Sequence, residues 1–368
     1  MHEAGLYIHI PFCSTRCGYC HFTTSVVDTQ EPYVDALIGE IQERGWSPEV
    51  REMVFDSVYF GGGTPSLLRA DLFARLVDRL RAAFRIERGC EFTIEANPEA
   101  EAGAAANAAF YADQGVNRVS IGVQSAVQEE LDALDRRHSV EDVRASMAGI
   151  RQQIENVNID FIMGIPGQDL DRLDLSLALI DETAPSHVSF YLLEVAEGSK
   201  LSLLPPLEDE VIERLYQHTC KFMRSRGYVH YEICNFAKPG RECRHNRKYW
   251  DGSNYLGLGL SACSLYGGHR VHNTTHWADY LHDPTRHRHF IPTSDDALSR
   301  ETIFLSLRQS TGLAVSSFQR RFGYDPYARF KSEWDELMEF GLVVRDGDRL
   351  CIPEDRMLMG NEVFVRFV

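Results

Sequence analysis

The stretch LYIHIPFCSTRCGYC, residues 6–20, combines a short strand with three closely spaced cysteines. Within residues 6–10, apolar side chains alternate with polar aromatic ones, which is the two-residue period of a β-strand. If the apolar face meets outer helices, Tyr7 and His9 point into the interior of a barrel. The cysteine loop then lies at the carboxyl end of the first strand.

Five further strand-like runs follow, each separated from the next by a segment with helical apolar spacing. They are SVYF (57–60), EFTIE (91–95), RVSIGV (118–123), VNIDFI (157–162) and HVSFYLL (187–193). Alternating strand and helix units predict a parallel sheet with right-handed crossovers. Because a complete barrel has eight such units, six units predict an α/β fold with an incomplete (β/α)6 barrel.

Polar and glycine-rich sequences follow the strands directly. They are PFCSTRCGYC, GGGTPS, EANPE, GVQS and GIPGQD. A barrel builds its active site from the loops at the carboxyl ends of its strands. An open doubly wound sheet would concentrate ligand contacts at one switch point instead. Five separate loops therefore favour the barrel, with the functional site at its mouth.

The pattern changes in the second half of the chain. Residues 231–290 are irregular and rich in Gly, His, Asn and aromatic residues. Three helix-like segments (299–311, 315–323 and 325–340) and a hairpin-like segment with an Asp-Gly turn (341–353) come next. Three helices and a hairpin are typical of a winged-helix module. We predict a partial barrel at 1–230, a connecting region at 231–290 and a winged-helix-like domain at 291–368.

Composition narrows the function classes. The net charge of −16 argues against a general nucleic-acid surface, because phosphate binding needs clustered Lys and Arg. No apolar run is long enough for a membrane helix, and the N-terminus does not resemble a secretory signal. We therefore predict a cytoplasmic protein. Because that compartment is reducing, we do not expect its nine cysteines to form a disulfide framework, and we interpret the clustered ones first as metal ligands.

Cys13, Cys17 and Cys20 are the leading candidates for a metal site. Three thiolates on one loop can hold a [4Fe–4S] cluster, and a missing fourth ligand leaves one iron free to chelate S-adenosylmethionine (SAM). Two alternatives remain open. The sequence CGYCH (17–21) matches c-type haem attachment, which normally follows export, and His21 could complete a structural zinc site.

The next loops offer polar groups for SAM. Glycines in GGGTP (61–65) permit close backbone approach to a ligand, and the Thr64 hydroxyl could join backbone carbonyls in binding the methionyl ammonium. Three strand-ending side chains offer acceptors for an ammonium and for ribose hydroxyls: Glu95, Gln124 and Asp160. Arg136 could clamp the SAM carboxylate, although Arg137 and His138 are adjacent alternatives.

Together these motifs resemble the branch of radical SAM proteins that contains oxygen-independent coproporphyrinogen III oxidase (HemN). The segment YEICNFAKPGRECRHNRKYW (231–250), the following YLGLG and the C-terminal GNEVFVRFV resemble the HemW haem chaperones within that branch. The oxidases carry a further Cys two places after the third cluster ligand. Phe22 stands there in this chain, as in the chaperones.

The resemblance implies roles for three groups of residues. The cluster ligands are Cys13, Cys17 and Cys20. The SAM contacts are Tyr7, Tyr19, Gly62, Gly63, Thr64, Glu95, Gln124, Arg136 and Asp160. The H-N-x-x-Y-W element implicated in haem handling is His245, Asn246, Tyr249 and Trp250.

The chemistry of that element supports the haem assignment. Imidazole is a common haem ligand, and Tyr249 and Trp250 offer flat surfaces for a macrocycle. Residues 238–248 hold five basic side chains and one acidic one, and this local positive charge could receive haem propionates.

Other residues could also bind the haem iron. Cys243 could supply a thiolate in place of the His245 imidazole. A second axial ligand could come from six further histidines, at positions 269, 272, 276, 282, 287 and 289. Relatives tend to carry His in place of Cys263.

The resemblance implies a chaperone that binds a [4Fe–4S] cluster, SAM and haem. It would pass haem to membrane haemoproteins such as respiratory oxidases by transient docking, and would receive electrons from a flavodoxin or ferredoxin. A radical SAM enzyme that acts on a porphyrin, as coproporphyrinogen III oxidase does, is the main alternative. A radical SAM methyltransferase is another. The acidic net charge makes an RNA-modifying enzyme the least favoured class.

Overall fold

The computed structural model describes residues 2–26, 29–98, 104–195, 200–286 and 288–368. Six strands alternate with helices in the first half of the chain. The strands are β1 (His2–Ile10), β2 (Met53–Gly62), β3 (Ile86–Ala96), β4 (Arg118–Gln124), β5 (Asn156–Met163) and β6 (His187–Leu192). They pair in parallel and in sequence order, with Tyr7 beside Tyr59 and Gly122 beside Asp160. The predicted α/β class and incomplete six-unit barrel are confirmed.

Helices cover the outer face of these strands. They are α1 (Gln30–Trp46), α2 (Pro48–Arg51), α3 (Ala70–Ala83), α4 (Ala108–Asp113), α5 (Gln128–Ala133), α6 (Val140–Arg151), α7 (Leu170–Thr183) and α8 (Asp209–Ser225). Helix α3 buries Leu72, Phe73, Leu76, Val77 and Leu80, which share one face at helical spacing. These side chains join the alternate apolar residues of the strands in one large core.

Residues 231–290 are more regular than the sequence predicts, because they contain short strands that extend the main sheet. Its further strands are β7 (Val229–Glu232), β8 (Asn235–Ala237), β9 (Asn254–Leu258), β10 (Cys263–Tyr266), β11 (His269–His272) and β12 (His289–Pro292). The order is β12-β11-β10-β9-β1-β2-β3-β4-β5-β6-β8-β7, and β9 lies parallel to β1. In the described residues the two end strands do not pair, so the sheet remains open. The region also contains α9 (Arg244–Asp251) and α10 (Trp277–His282).

The C-terminal part has its own apolar core around Trp334, Leu350 and Phe367. Its elements are α11 (Asp295–Ser306), β13 (Leu313–Ala314), α12 (Val315–Phe322), α13 (Pro326–Arg329), α14 (Lys331–Glu339), β14 (Val344–Asp346), β15 (Arg349–Cys351) and α15 (Gly360–Phe364). The predicted hairpin is present as β14 and β15, and β13 pairs with β15 as a third strand. The predicted single helix at 325–340 was wrong, because the backbone leaves helical geometry at Phe330.

The three predicted domain boundaries stay a proposal. Strand β9 of the connecting region pairs with β1 of the barrel, and α9 packs against α11 of the C-terminal part. The connecting region therefore joins the other two through main-sheet hydrogen bonds and helix packing. In the part of the chain that the structure describes, no helix is both long and apolar enough to cross a bilayer.

Candidate functional site

A cavity of about 530 Å³ lies at the carboxyl ends of the barrel strands. This volume falls within the usual range of small-molecule pockets. All three predicted cluster ligands line it, together with eight of the nine predicted SAM residues: Tyr19, Gly62, Gly63, Thr64, Glu95, Gln124, Arg136 and Asp160. Tyr7 does not line it. The structure thus brings eleven of the twelve predicted cluster and SAM residues around one space.

The cysteine loop is held against the glycine loop by backbone hydrogen bonds. The amide of Gly63 donates to the Ile10 carbonyl at 2.9 Å, and that of Thr64 donates to the Phe12 carbonyl at 2.7 Å. A Cβ on Gly63 would lie 2.6 Å from the Phe12 oxygen. The sequence predicts that these glycines admit a ligand, but at Gly63 the close neighbour is the cysteine loop itself.

The three thiols share the cavity without forming a single-ion site. Burial raises the pKa of Cys13 to about 11 and also raises that of Cys20, so an electron-deficient metal would have to displace their protons. Among the described residues, no three His, Cys, Asp or Glu side chains are close enough to hold one metal ion. His21 instead contacts the Glu194 carbonyl at 3.4 Å. This arrangement fits a larger iron–sulfur cube better than the zinc alternative.

Glu95 is a buried carboxyl group on the cavity wall with a raised pKa. Burial raises its pKa to about 7, despite hydrogen bonds from the Tyr59 hydroxyl at 2.8 Å and from the Gly62 amide at 3.0 Å. Burial likewise raises the pKa of Asp160, which accepts hydrogen bonds from Ser120 and Asn158. Both carboxyl groups line the cavity, where a cationic or hydroxyl-bearing ligand could meet them.

Gln124 and Arg136 are held in fixed positions on the same wall. Gln124 has φ of +71°, a left-handed conformation that costs energy in a residue other than glycine and often marks functional sites. Arg136 donates to Asn97 Oδ1 at 2.8 Å and to the Gly122 carbonyl at 2.7 Å, and its Nη1 lies 3.6 Å from Cys17 Sγ. His138 is buried elsewhere, against the Val123 carbonyl. Arg137, the other neighbour that the sequence offers as an alternative to Arg136, does line the cavity.

Three cavity residues that the sequence analysis missed hold the predicted ones in place. Asn97 binds Arg136, Tyr59 binds Glu95, and Ser120 binds Asp160. Asn97 could have been found from the spacing, because it follows Glu95 by two residues within the EANPE motif. Tyr59 could not, because its role depends on the register between β2 and β3.

Tyr7 and His9 point into the barrel below the cavity, as predicted. The Tyr7 hydroxyl lies 3.1 Å from His9 Nδ1, and His9 Nε2 lies 2.9 Å from the Thr23 carbonyl. The Tyr7 ring stacks beside Tyr59 at 6.2 Å between centroids and lies 6.3 Å from the ring of His245. Tyr7 therefore contacts Tyr59 of the cavity wall and His245 of the H-N-x-x-Y-W element, but does not itself line the cavity.

His245 is in the interior, only 1% exposed. Its Nδ1 lies 3.2 Å from Ser57 Oγ and its Nε2 2.9 Å from the Tyr249 hydroxyl, and burial lowers its pKa to about 3. The amides of Arg244 and His245 donate to the Glu91 carboxylate at 3.1 Å. Both ring nitrogens are engaged, so direct iron ligation by His245 would require this helix to move. Its assignment to haem stays a prediction.

The other members of the element surround His245. Tyr249 packs edge-on against Tyr255, Trp250 lies under the Arg308 guanidinium at 4.5 Å, and Asn246 is half-buried. The predicted positive patch is smaller than expected. Lys248 is buried and pairs with Asp56 at 2.8 Å, so it was wrongly included in the patch.

Three arginines of that segment remain exposed: Arg241, Arg244 and Arg247. Cys243, the rival haem ligand, is fully buried, with Sγ 3.5 Å from Glu91. Of the six further histidines proposed as axial ligands, His287 lies outside the described residues. His269, His276, His282 and His289 are exposed, and His272 contacts Cys263.

The barrel and its cysteine loop define a radical SAM protein, and residues 7–180 match the family model described as "Radical SAM superfamily". Residues 293–355 match the "HemN C-terminal domain". The chain is similar to "Heme chaperone HemW" of Bacillus subtilis, with 31% identity over 98% of both chains. The protein of the same name from Mycobacterium tuberculosis H37Rv is 33% identical over 98% of this chain and 93% of its own. This chain therefore belongs to the HemW family within the radical SAM superfamily.

The fold has a solved counterpart. The chain superposes on coproporphyrinogen III oxidase from Escherichia coli, described as a radical SAM enzyme, with a TM-score of 0.85. The match covers 100% of this chain and 90% of that one at 23% identity. At this identity the likeness concerns the fold alone.

Proposed function

We propose that this protein is a haem chaperone that binds a [4Fe–4S] cluster, SAM and haem and delivers the haem to membrane haemoproteins such as respiratory oxidases. The observation that carries the cofactor part is the convergence of Cys13, Cys17 and Cys20 with eight predicted SAM residues on one cavity. The full-length similarity to proteins named haem chaperones supports the carrier part. An electron donor of the flavodoxin or ferredoxin class would reduce the cluster.

The donor set fits the proposed cofactors. Three thiols on one loop can bind three irons of the cluster, and Arg136 beside Cys17 places a cation where thiolate charge would develop. When bound, a cluster with one open iron would chelate SAM and supply an electron for cleavage of a carbon–sulfur bond. Glu95, Asp160 and Gln124 would orient the amino and ribose groups of SAM, and Tyr19 would cover it from the cysteine loop.

Phe22 favours the chaperone over the porphyrin-oxidising alternative. It stands where the oxidases carry a further cysteine, and it is 66% exposed at the rim of the cavity. An anaerobic incubation with coproporphyrinogen III, SAM and a reductant separates the two functions. The proposal expects no decarboxylated product above the background without protein, whereas catalytic turnover would establish the oxidase instead.

The pH dependence of SAM binding tests the role of Glu95. Its raised pKa means that the carboxyl group carries a proton below about pH 7 and cannot then pair with a cation. SAM affinity of the cluster-containing protein should therefore rise with pH through 7 and level off above it. Glu95→Gln should bind SAM roughly tenfold more weakly and lose this pH dependence. Anaerobic calorimetric titrations measure both effects.

The rim residue Glu194, which is exposed, supplies the matched control for that experiment. Glu194→Gln should keep both the affinity and the pH profile of the unmodified protein. A flat pH profile in the unmodified protein, equal to that of Glu95→Gln, would remove Glu95 from the SAM site.

Haem titration tests the H-N-x-x-Y-W element. The purified protein should develop a Soret band on addition of haem, and the band should weaken in His245→Ala. This change removes an imidazole and also releases the Tyr249 hydroxyl that it binds. His276→Ala, which removes an exposed histidine of the same region, should leave the band unchanged. Unaltered haem affinity in His245→Ala would exclude His245 from haem handling.

A further inference from the structure

A row of side chains crosses the main sheet outside the cofactor cavity. In the register of the sheet, Tyr7 lies beside Gly257, Cys263 beside His272, and His272 beside His289. The pairing of Leu265 with Tyr255 places Cys263 opposite Gly257, because β9 and β10 are antiparallel. Residues paired across neighbouring strands share one face. The row therefore runs on a single face from the barrel interior to the edge strand β12.

Cys263 and His272 form the closest contact in this row. The distance from Cys263 Sγ to His272 Nδ1 is 2.9 Å, and both side chains are half-buried. His289, the next member, is exposed, and Ile291 on the same face of β12 is 46% exposed. The row thus offers a thiol and an imidazole within reach of solvent, beside an apolar edge.

This donor set is too small for a bare metal ion but suits an iron porphyrin. Among the described residues, no three potential ligands are close enough to hold a single ion. A porphyrin supplies four nitrogen ligands of its own, so the protein needs to provide only an axial one. Two atoms 2.9 Å apart cannot occupy axial positions on opposite faces of the same macrocycle. At most one of the pair can therefore bind the iron, and the other would lie directly beside that ligand.

We propose that Cys263 is an axial ligand of the haem iron and that His272 is its positioning residue. Haem binding would replace the Cys263 S–H bond by an iron–sulfur bond, with the proton released to solvent and no change in the oxidation state of iron. The macrocycle would approach over β12, where Ile291 offers an apolar contact. This inference rests on the proposed haem-binding function and identifies the ligand that the function requires.

The site is continuous with the H-N-x-x-Y-W element. Tyr249 of that element packs against Tyr255 at 4.8 Å between ring centroids, and the Tyr255 hydroxyl accepts a hydrogen bond from Arg270 at 2.9 Å. Arg270 lies on β11 two residues before His272, on the same face. Haem held at Cys263 would therefore contact the sheet next to helix α9 without requiring His245 to leave the interior.

Haem titration of cysteine variants tests the assignment. The unmodified protein with haem should show a thiolate-ligated spectrum, including a strongly red-shifted Soret band of the ferrous carbonyl complex. Cys263→Ser should lose this signature, and Cys263→His should keep haem but give an imidazole-type spectrum. His272→Ala should weaken haem binding roughly tenfold, as loss of a group that orients a metal ligand does. Cys351→Ser, which alters another half-buried strand thiol, is the matched control.

The outcomes separate this inference from the proposed function. Haem binding with an identical spectrum in Cys263→Ser and the unmodified protein would overturn the Cys263 assignment and leave the chaperone function standing. Absence of haem binding by the unmodified protein would overturn both. Unchanged cluster content in Cys263→His verifies that this variant folds, so a lost thiolate signature reports on the ligand itself.

Discussion

Replacement of Cys13, Cys17 or Cys20 by serine is expected to abolish the iron–sulfur cluster. Each cysteine lies on one loop at the cavity, and loss of one thiolate would leave two for a cube that needs three. After anaerobic reconstitution, the unmodified chain should contain about four irons and four sulfides. Each variant should contain close to none, and it should also lose SAM binding because no iron remains to chelate SAM.

Cys220→Ser provides the control for these variants. Cys220 is a half-buried thiol on α8 and does not line the cavity, so the variant should reconstitute normally. Full cluster content in any of the three loop variants would show that the missing cysteine is not a ligand. Stoichiometric zinc in the unmodified protein, with no sulfide, would favour the structural-zinc alternative.

Lys248→Met is expected to lower the free energy of unfolding by about 3–5 kcal/mol. Lys248 Nζ lies 2.8 Å from Asp56 Oδ1, and their side chains are only 8% and 13% exposed. Removal of the ammonium leaves a buried carboxylate without its partner charge, which costs more than the pair itself contributes. Urea titration monitored by circular dichroism measures the change.

Two further variants make the test specific to burial. Lys248→Met combined with Asp56→Leu should recover much of the lost stability, because no unpaired charge then remains. Arg75→Ala breaks an exposed ion pair with Asp35 and should cost less than about 1 kcal/mol. A loss in Lys248→Met no larger than that in Arg75→Ala would mean that the segment 244–251 is not held as the structure shows.

The barrel could be predicted because its signals are local. Alternating apolar residues in LYIHI predict a strand, and β1 buries Leu6, Ile8 and Ile10 completely. Polar sequences directly after strands predict the mouth of the barrel, since parallel strands bring their carboxyl ends to one edge. For this reason the sequence predicts one common site for Cys13, Glu95 and Asp160, which are far apart along the chain and line the same cavity.

The connecting region could not be predicted in the same way. Its strands are three to five residues long, too short for a clear period, and β9 pairs with β1 across more than half of the chain. The burial of His245 and Lys248 also depends on tertiary contacts, with Ser57 and Asp56 of β2. Sequence identifies these residues as polar, but only the fold shows that they face the barrel interior.

The helix break at Phe330 has a similar origin. The segment 325–340 has helical spacing throughout, but Asp325 caps a first short helix through the amides of Tyr327 and Ala328. Trp334 then folds back so that its indole N–H donates to the Pro326 carbonyl at 3.0 Å. This hydrogen bond links α14 to the start of α13, and Trp334 itself lies in the apolar core of the C-terminal part.

Transfer of haem from the loaded protein to an acceptor is the defining step of a haem chaperone and can be measured directly. The protein, reconstituted with cluster and haem without air, is mixed with membranes that contain a haem-free respiratory oxidase, and the two are then separated by centrifugation. We expect the Soret absorbance to move to the membranes and oxidase activity to appear in proportion. Haem that stays with the protein, or that reaches the membranes equally fast from free haem alone, would contradict it.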